Sequence, residues 1–267
     1  MKISASIVLY NNSYNVFSKA VKSLLNYKKI SIFIIDNSTV KKKYNLFKHP
    51  KIHYIPNKIN NGFGAGHNIA LKKTLNKFDY HFIVNPDVTF EKKSLEIILK
   101  YLRQYDIGAL ATQVRYFDNN IQNSIRYLPS PFNLISNRLP FNVLKNNYEI
   151  SLNQLKSNVV CSPPWFSGCF FIVRLGVLKK IGLFDERYFM YMEDVDLIRR
   201  ISEVSKTVYL NNAYIYHAYN RQSKKELKLF FIHIISAIKY FNKWGWFLDR
   251  KRRRINNNFK FLISRKN

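Results

Sequence analysis

Acidic residues are scarce in this chain: 16 Asp and Glu stand against 44 Lys and Arg, a formal net charge of +28. Such a surface seeks polyanions, whether nucleic acid, anionic lipid or a phosphorylated substrate. A/T-rich coding raises Lys together with Asn, Ile, Tyr and Phe and accounts for the excess equally well, so charge alone selects no function. Cysteine is nearly missing. Cys161 and Cys169 are too few for a disulfide framework and lie outside any CxxC spacing, so they read as buried thiols of a reducing compartment. Eight Gly and eight Pro exclude a collagen-like or linker-dominated chain. A hydrophobic content of 47% over 267 residues excludes disorder and supplies the core of one sizeable domain. Long apolar runs are also lacking. The N-terminus turns polar after one short run, too short for a signal-peptide core. The stretch Phe230 to Ile238, interrupted by His233, falls short of the roughly 20 residues a spanning helix needs. These absences predict no secretion signal, no transmembrane segment and a cytoplasmic location.

What is present alternates. Ser4 to Tyr10 reads as a strand, and Ser13 to Tyr27 as a helix with Val16, Ala20, Leu24 and Tyr27 on one face. Further strands are predicted at Ser31–Ile35, Ile52–Ile55 and Tyr80–Val84, with a Gly-rich turn at 62–66 opening a helix through His67, Asn68, Leu71 and Leu75. This order predicts an α/β fold built on a mainly parallel, doubly wound sheet flanked by helices. Ligands of such sheets bind beyond the carboxyl ends of the strands. Tyr10-Asn11, Asp36-Asn37-Ser38 and Asn85-Pro86-Asp87 all fall at strand ends. Residues 115–160 are loop-rich, with prolines at 129, 131 and 140. Trp165–Val173 reads as one buried strand, Glu193–Val204 as a helix and Val208–His217 as one or two strands.

Taken singly, the motifs are ambiguous. Gly62, Gly64 and Gly66 do not make a dinucleotide fingerprint, because its third glycine would fall at His67 and the turn follows the third strand. No G-x-x-x-x-G-K-[ST] phosphate loop occurs. Asp87 can hold a divalent cation with diphosphate oxygens, or cap a helix starting near Glu91. Glu193, Asp194 and Asp196 follow the aromatic run Tyr188–Tyr191. Carboxylates beside large rings gain basicity suited to a general base, whereas acids at a helix N-terminus also simply favour its dipole. His217 ends a strand-like run and reads as a structural hydrogen-bonder unless a metal is present.

Together, Asp36-Asn37-Ser38, Asn61–Asn68 (NGFGAGHN), Asn85–Val88 (NPDV), Trp165–Gly168 (WFSG), Gly182–Glu186 (GLFDE), Phe189–Leu197 (FMYMEDVDL) and His217 resemble the inverting glycosyltransferases of family 2, with the GT-A fold. The similarity extends to the bacterial rhamnosyltransferase-like branch and covers about residues 3–223. It implies a glycosyltransferase domain over 1–223, with a nucleotide-sugar half at about 1–114 and an acceptor half at about 115–223. The basic amphipathic segment 224–267 follows as a helical extension. The resemblance places Tyr10, Asn11, Asp36, Gly64, Gly66, His67, Asn68 and Asn85 at the nucleotide sugar, with Asp36 accepting the N3–H of uracil or thymine. It makes Asp87 the last acid of a D-x-D motif and His217 a further contact for Mg²⁺ or Mn²⁺. Asn85 stands where many relatives carry Asp, which thins the ligand set. It makes Asp194 the catalytic base and gives Glu193 an orienting or loop-holding role. Trp165, Ser167 and Gly168 fall on the acceptor wall.

The implied reaction moves L-rhamnose from dTDP-rhamnose onto a lipid-linked O-antigen or other surface-polysaccharide intermediate by single-displacement inversion. A UDP-sugar donor carrying galactofuranose, galactose or glucose is the alternative within this chemistry. An inactive scaffold and a basic nucleic-acid-binding protein are the alternatives outside it, although no nucleic-acid motif is present. Acceptors of this branch are carried on polyprenyl diphosphate at the inner leaflet. Leu227, Phe230, Phe231, Ile234, Ile235, Ile238 and Phe241 share a helical face among basic residues. A helix packed on the domain explains the apolar stripe equally well, but the Arg cluster at 250–254 has no obvious core role, so the pattern predicts an interfacial helix peripheral to an anionic membrane.

Overall fold

The computed structural model describes residues 1–136, 150, 160–218 and 227–264. In chain order its elements are β1 (Ile3–Leu9), α1 (Tyr14–Leu25), β2 (Ile30–Asp36), β3 (Ile52–Pro56), α2 (Phe63–Thr74), β4 (Tyr80–Val84), β5 (Val88–Phe90) and α3 (Lys92–Gln104). Then follow β6 (Ala109–Arg115), β7 (Ile121–Gln122), β8 (Ile125–Arg126), α4 (Pro131–Ser136), β9 (Val160–Cys161), β10 (Trp165–Phe166), β11 (Phe170–Arg174) and α5 (Leu175–Ile181). The last are α6 (Glu193–Ser202), β12 (Thr207–His217), α7 (Leu227–Trp244) and α8 (Arg250–Ser264). The main sheet runs β3-β2-β1-β4-β11-β6-β12-β5. Strands β1 to β4 are mutually parallel, β11 is antiparallel between β4 and β6, β12 is parallel to β6, and β5 is antiparallel to β12. The sheet is therefore mixed, with mostly parallel strands. One crossing of direction at β11 leaves the carboxyl ends of β1, β2, β4, β6 and β12 on a single edge.

Strand β1 shows how the pattern builds two layers. Ile3, Ala5, Ile7 and Leu9 point into a core with Phe17, Ala20, Val21 and Leu24 of α1 and Leu95, Ile98 and Leu99 of α3. The alternate residues Ser4 and Ser6 face the opposite side. There they meet buried His81 of β4 and His67 of α2. The α1 stripe differs slightly from the sequence reading: Phe17, Ser18, Ala20, Val21 and Leu24 are buried, while Val16 faces solvent. One strand assignment also changes, and one open reading is settled. Trp165–Val173 splits into β10 and β11 because Ser167-Gly168 turns the chain. Val208–His217 is one strand with an irregularity between Leu210 and Tyr214. Asp87 caps no helix, since β5 intervenes and Glu91 precedes α3. Residues 137–149 (Pro140 among them) and 151–159 of the loop-rich segment, together with residues 219–226 and the predicted boundary at 223/224, lie outside the described residues.

Helices α7 and α8 pack on the domain. One face of α7 buries Ser236, Tyr240 and Phe241 against the domain, and Phe259 of α8 joins the same core. The other face leaves Leu227, Phe231, Ile234, Ile235 and Ile238 exposed, so this helix is apolar on two sides. No helix among the described residues is long and apolar enough to cross a membrane. The basic cluster 250–254 does have an interior role: Arg252 is buried, giving N–H groups to the carbonyls of Trp246 at 3.1 Å and Pro129 at 3.4 Å.

The join between the helical extension and the domain is ionic. Arg199 of α6 makes a two-armed pair with Asp249, at 2.6 and 2.8 Å, with both side chains almost fully buried. Trp244 covers the Arg199 guanidinium at 4.1 Å and the Tyr240 hydroxyl lies at 3.2 Å. Removing one partner of such a pair strands a charge in the interior. We expect Asp249→Ala to lower the unfolding free energy by about 3–5 kcal/mol in urea titrations. Breaking the exposed Lys251–Glu203 pair by Lys251→Ala should cost under about 1 kcal/mol. Equal effects would show that Arg199–Asp249 is not the anchor.

Candidate active site

The carboxyl edge gathers the residues that the sequence scattered. Asp36 ends β2, Asn85–Asp87 follows β4, and two strand spacings of about 10 Å separate these strands. Because β11 runs the opposite way, its start at Gly168-Cys169 reaches the same edge. The Cys169 carbonyl accepts the Asn85 N–H at 2.9 Å and the Gly168 N–H donates to Asp194 Oδ2 at 2.8 Å. His217, ending β12, places Nε2 3.4 Å from Asp87 Oδ1. The Asp87 and Asp194 charges both push the intervening Cys169 thiol up, after burial, to about 12.

Around Asp36 the loops lock together. Its carboxylate accepts the Ser38 N–H at 2.9 Å and the Tyr54 hydroxyl at 2.7 Å, and burial with the Asp36 charge pushes the Tyr54 phenol well up. Asn11, in a left-handed conformation, gives its N–H to Ser38 Oγ and accepts the Thr39 N–H. Tyr10 stands exposed beside it. The Gly-rich turn belongs to the floor. Gly62 has φ +100°, and a Cβ there would stand 1.8 Å from the Phe189 carbonyl oxygen. Gly66 fits against Val8 and Asn37, and Gly64 against Phe184. Asn68 is buried, bonded to both the N–H and the carbonyl of Phe184 and to Glu186. His67 is fully buried between Phe63 and Phe184 rather than open to a ligand.

The hydrogen-bond chain fixes how His67 is protonated. Ser4 gives its hydroxyl to the Tyr80 carbonyl and accepts from His81 Nδ1. Ser6 then donates to His81 Nε2 and accepts from His67 Nδ1 at 2.6 Å. That leaves His67 Nε2 a bare acceptor among rings, with no hydrogen-bond partner among the described residues. Burial holds both imidazoles below their ordinary range, His81 at about 3.

At the acidic pair, Tyr191 and Met192 both adopt left-handed backbone immediately before α6, at φ 69° and 67°. Such residues cost roughly 1–3 kcal/mol each and persist where packing imposes them. Glu193 is buried, and its Oε2 meets no partner among the described residues. Burial first, and then the Asp194 charge, holds the Glu193 carboxyl well above the usual carboxylate range. Asp194 is also raised by burial, but the N–H groups of Val195 and Gly168, the Trp165 indole and the Arg126 guanidinium oppose the shift. Donors therefore converge on Asp194 and not on Glu193 Oε2. Trp165 is nearly buried and turns one face to Arg126, 5.2 Å away, so it forms a wall beneath that cation rather than an open platform. Ser167 donates its N–H to the Ser124 carbonyl.

Three functional neighbours were not singled out from the sequence: Arg126, Tyr54 and Gln122. Gln122 gives its amide N–H to the His217 carbonyl, so its Oε1 accepts from His217 Nδ1 at 3.1 Å and turns Nε2 toward Asp87. No group of three or more His, Cys, Asp or Glu side chains able to hold a metal occurs among the described residues. Asp87 with an oriented imidazole fits a divalent cation that takes its remaining ligands from a diphosphate and water.

The mixed, mostly parallel sheet flanked by helices is a GT-A fold. The chain belongs to glycosyl transferase family 2, whose family model matches residues 4–182. It is 28% identical over 218 residues to an N-acetylglucosaminyl-diphospho-decaprenol L-rhamnosyltransferase of Mycobacterium tuberculosis, covering 73% of this chain and 68% of that protein. It is 28% identical over 213 residues to the rhamnosyltransferase WbbL of Escherichia coli K12, covering 76% of each. Among solved structures, S. aureus TarS 1–349 with UDP-GlcNAc superposes with TM-score 0.61 at 16% identity, covering 97% of this chain and 72% of TarS 1–349. GalNAc-T7 with UDP, GalNAc and Mn²⁺ gives 0.63 at 14%, covering 82% of this chain, which spans only 43% of that one.

The histidine seam makes stability fall with acid. Both histidines stay neutral when folded but take up a proton near pH 6.5 when unfolded, so each withdraws about 1.4 kcal/mol per pH unit below that. The raised Glu193 and Asp194 act with the opposite sign, so the comparison needs a variant. We expect His81→Asn to flatten the slope of unfolding free energy between pH 6 and 4 by about 1.4 kcal/mol per unit. An unchanged slope would refute the neutral assignment.

Proposed function

We propose that this glycosyltransferase moves L-rhamnose from dTDP-rhamnose to a glycan carried on a polyprenyl diphosphate, by a single inverting displacement. The observation that carries the chemistry is the uneven acidic pair: an Asp194 supported by the N–H groups of Gly168 and Val195, beside a Glu193 whose carboxyl burial holds well above the usual carboxylate range. Asp194 takes the proton of the acceptor hydroxyl as that oxygen bonds to the anomeric carbon from the face opposite the diphosphate. The bond from that carbon to the diphosphate oxygen breaks, and the electron pair leaves with the nucleoside diphosphate. One base suffices, and no covalent enzyme intermediate forms.

Asp36 is the reader of the thymine imide, each carboxylate oxygen keeping a lone pair beyond its bonds to Ser38 and Tyr54. Tyr10, Asn11 and Asn85 border the nucleotide sugar, while Gly64, Gly66, His67 and Asn68 shape the floor under it. Asp87 and His217 would hold Mg²⁺ or Mn²⁺, which when bound neutralises charge on the departing diphosphate. Trp165, Ser167 and Gly168 form the acceptor side together with Arg126. The names of the two rhamnosyltransferase relatives support the sugar and the lipid-linked acceptor. The outward apolar face of α7 supports a peripheral seat on an anionic membrane. Residues 224–267 reinforce it, with thirteen basic residues against two acidic.

A panel of dTDP-rhamnose, UDP-galactose, UDP-galactofuranose and UDP-glucose tests the donor. Turnover is expected with the first, and turnover with a UDP-sugar alone would replace it. Asp194→Asn should lower kcat by about 10²–10⁴-fold while leaving the dissociation constant of dTDP-rhamnose within twofold. Ordinary turnover by this variant would remove Asp194 as the base. The acid limb of the wild-type kcat profile should lie above the ordinary aspartate range, because burial raises the group that must be ionised.

A further inference from the structure

An open groove of about 350 Å³ lies outside the carboxyl edge, between the α4 region and the corner joining α7 to α8. Its walls combine two chemistries. Leu128, Phe132, Trp246 and Phe247 supply apolar surface, and Arg252 and Arg253 supply cations. Phe247 is 69% exposed, an unfavourable setting for a phenylalanine with nothing over it. The Arg252 guanidinium carries five donors and spends two on the carbonyls of Trp246 and Pro129. An amphiphilic anion satisfies both halves, since guanidinium groups match phosphate oxygens and the rings cover hydrocarbon.

The position of the groove says which anion. The Asn256 side chain bonds both the N–H and the carbonyl of Leu128, at 2.9 and 3.0 Å, fixing α8 to the segment that leaves β8. Arg126, about 7 Å back along that segment, pairs in register with Trp165, and both bear on Asp194. The segment Arg126–Leu128 thus runs from the wall of the groove to the residues around Asp194. Next to the groove, Leu248 at the helix corner is 86% exposed.

We propose that this groove binds the diphosphate and first isoprenoid units of the acceptor, Arg252 and Arg253 facing the phosphates and Phe132, Trp246 and Phe247 the hydrocarbon. The acceptor sugar then extends past Arg126 to Asp194. This rests on the lipid-linked acceptor reading above, and places its anchor in the C-terminal helices rather than in the sheet.

Farnesyl diphosphate, titrated into the full-length protein by calorimetry, tests it, with inorganic pyrophosphate and farnesol as separate arms. Saturable binding is expected for farnesyl diphosphate at concentrations where neither fragment binds. The exposed-residue variants Arg253→Glu and Phe247→Ser should each weaken it at least tenfold, without moving the thermal midpoint or the affinity for dTDP-rhamnose. Wild-type affinity in both variants would overturn the assignment. So would pyrophosphate binding as tightly as farnesyl diphosphate, which marks a plain anion site, or farnesol doing so, which marks a plain apolar one. The readout needs no turnover. Failure of the donor panel therefore leaves this result standing, and loss of farnesyl diphosphate binding leaves the donor assignment standing.

Discussion

Two carboxyl groups on adjacent residues at a buried helix start cannot both be ionised without great cost, and much of the molecule is arranged to decide which one keeps the charge. The decision is made by donors. Asp194 receives the Gly168 N–H from the turn between β10 and β11, with Val195, the Trp165 indole and Arg126 assisting, whereas Glu193 Oε2 receives nothing among the described residues. The antiparallel direction of β11 is what brings that N–H to the carboxyl edge of an otherwise mostly parallel sheet. The strand reversed in the middle of the order is thus what supplies Asp194 with this donor.

The same helix ties the chemistry to the C-terminal extension. From α6, Glu193 and Asp194 face the edge, Asp196 takes Lys243, Arg200 and the Trp244 indole, and Arg199 takes Asp249. Ser236 of α7 also holds the Met190 carbonyl, one residue before the two left-handed residues. Strain at Tyr191–Met192 is held from behind by helices whose outer surfaces are apolar and basic. The extension therefore braces the start of α6 and the loop before it.

Beneath the nucleotide-sugar loops the structure uses a polar interior. The Ser4–His81–Ser6–His67 chain lets α2 lie on small and polar residues, and Gly64 and Gly66 bring it close enough for Asn68 to clip the Phe184–Glu186 segment. The turn joins the tips of β1 and β2 to the loop before α6 through Phe63 and Phe189. Donor side and base side are in this way one mechanical unit.

The alternation of strands and helices, the polar tips at Asp36 and Asn85–Asp87, and the acidic run at 193–196 were legible in the chain, because period and strand-end chemistry are local properties. So was the apolar stripe of α7, though not that Tyr240 and Phe241 pack on the domain while Phe231 and Ile235 stay exposed. Position alone could not tell that His67 and Asn68 are floor rather than lining, since that depends on what packs above them. Gln122 and Arg126 lie in a stretch without periodicity, so nothing local marks them. Their roles arise only when β8 pairs with β10 and the amide meets His217 at the end of β12. The amino-acid order by itself determined the layers and the supply of acids. Tertiary packing alone decided which acid receives donors, because the Gly168 N–H, the Trp165 indole and Arg126 come to Asp194 from distant parts of the chain.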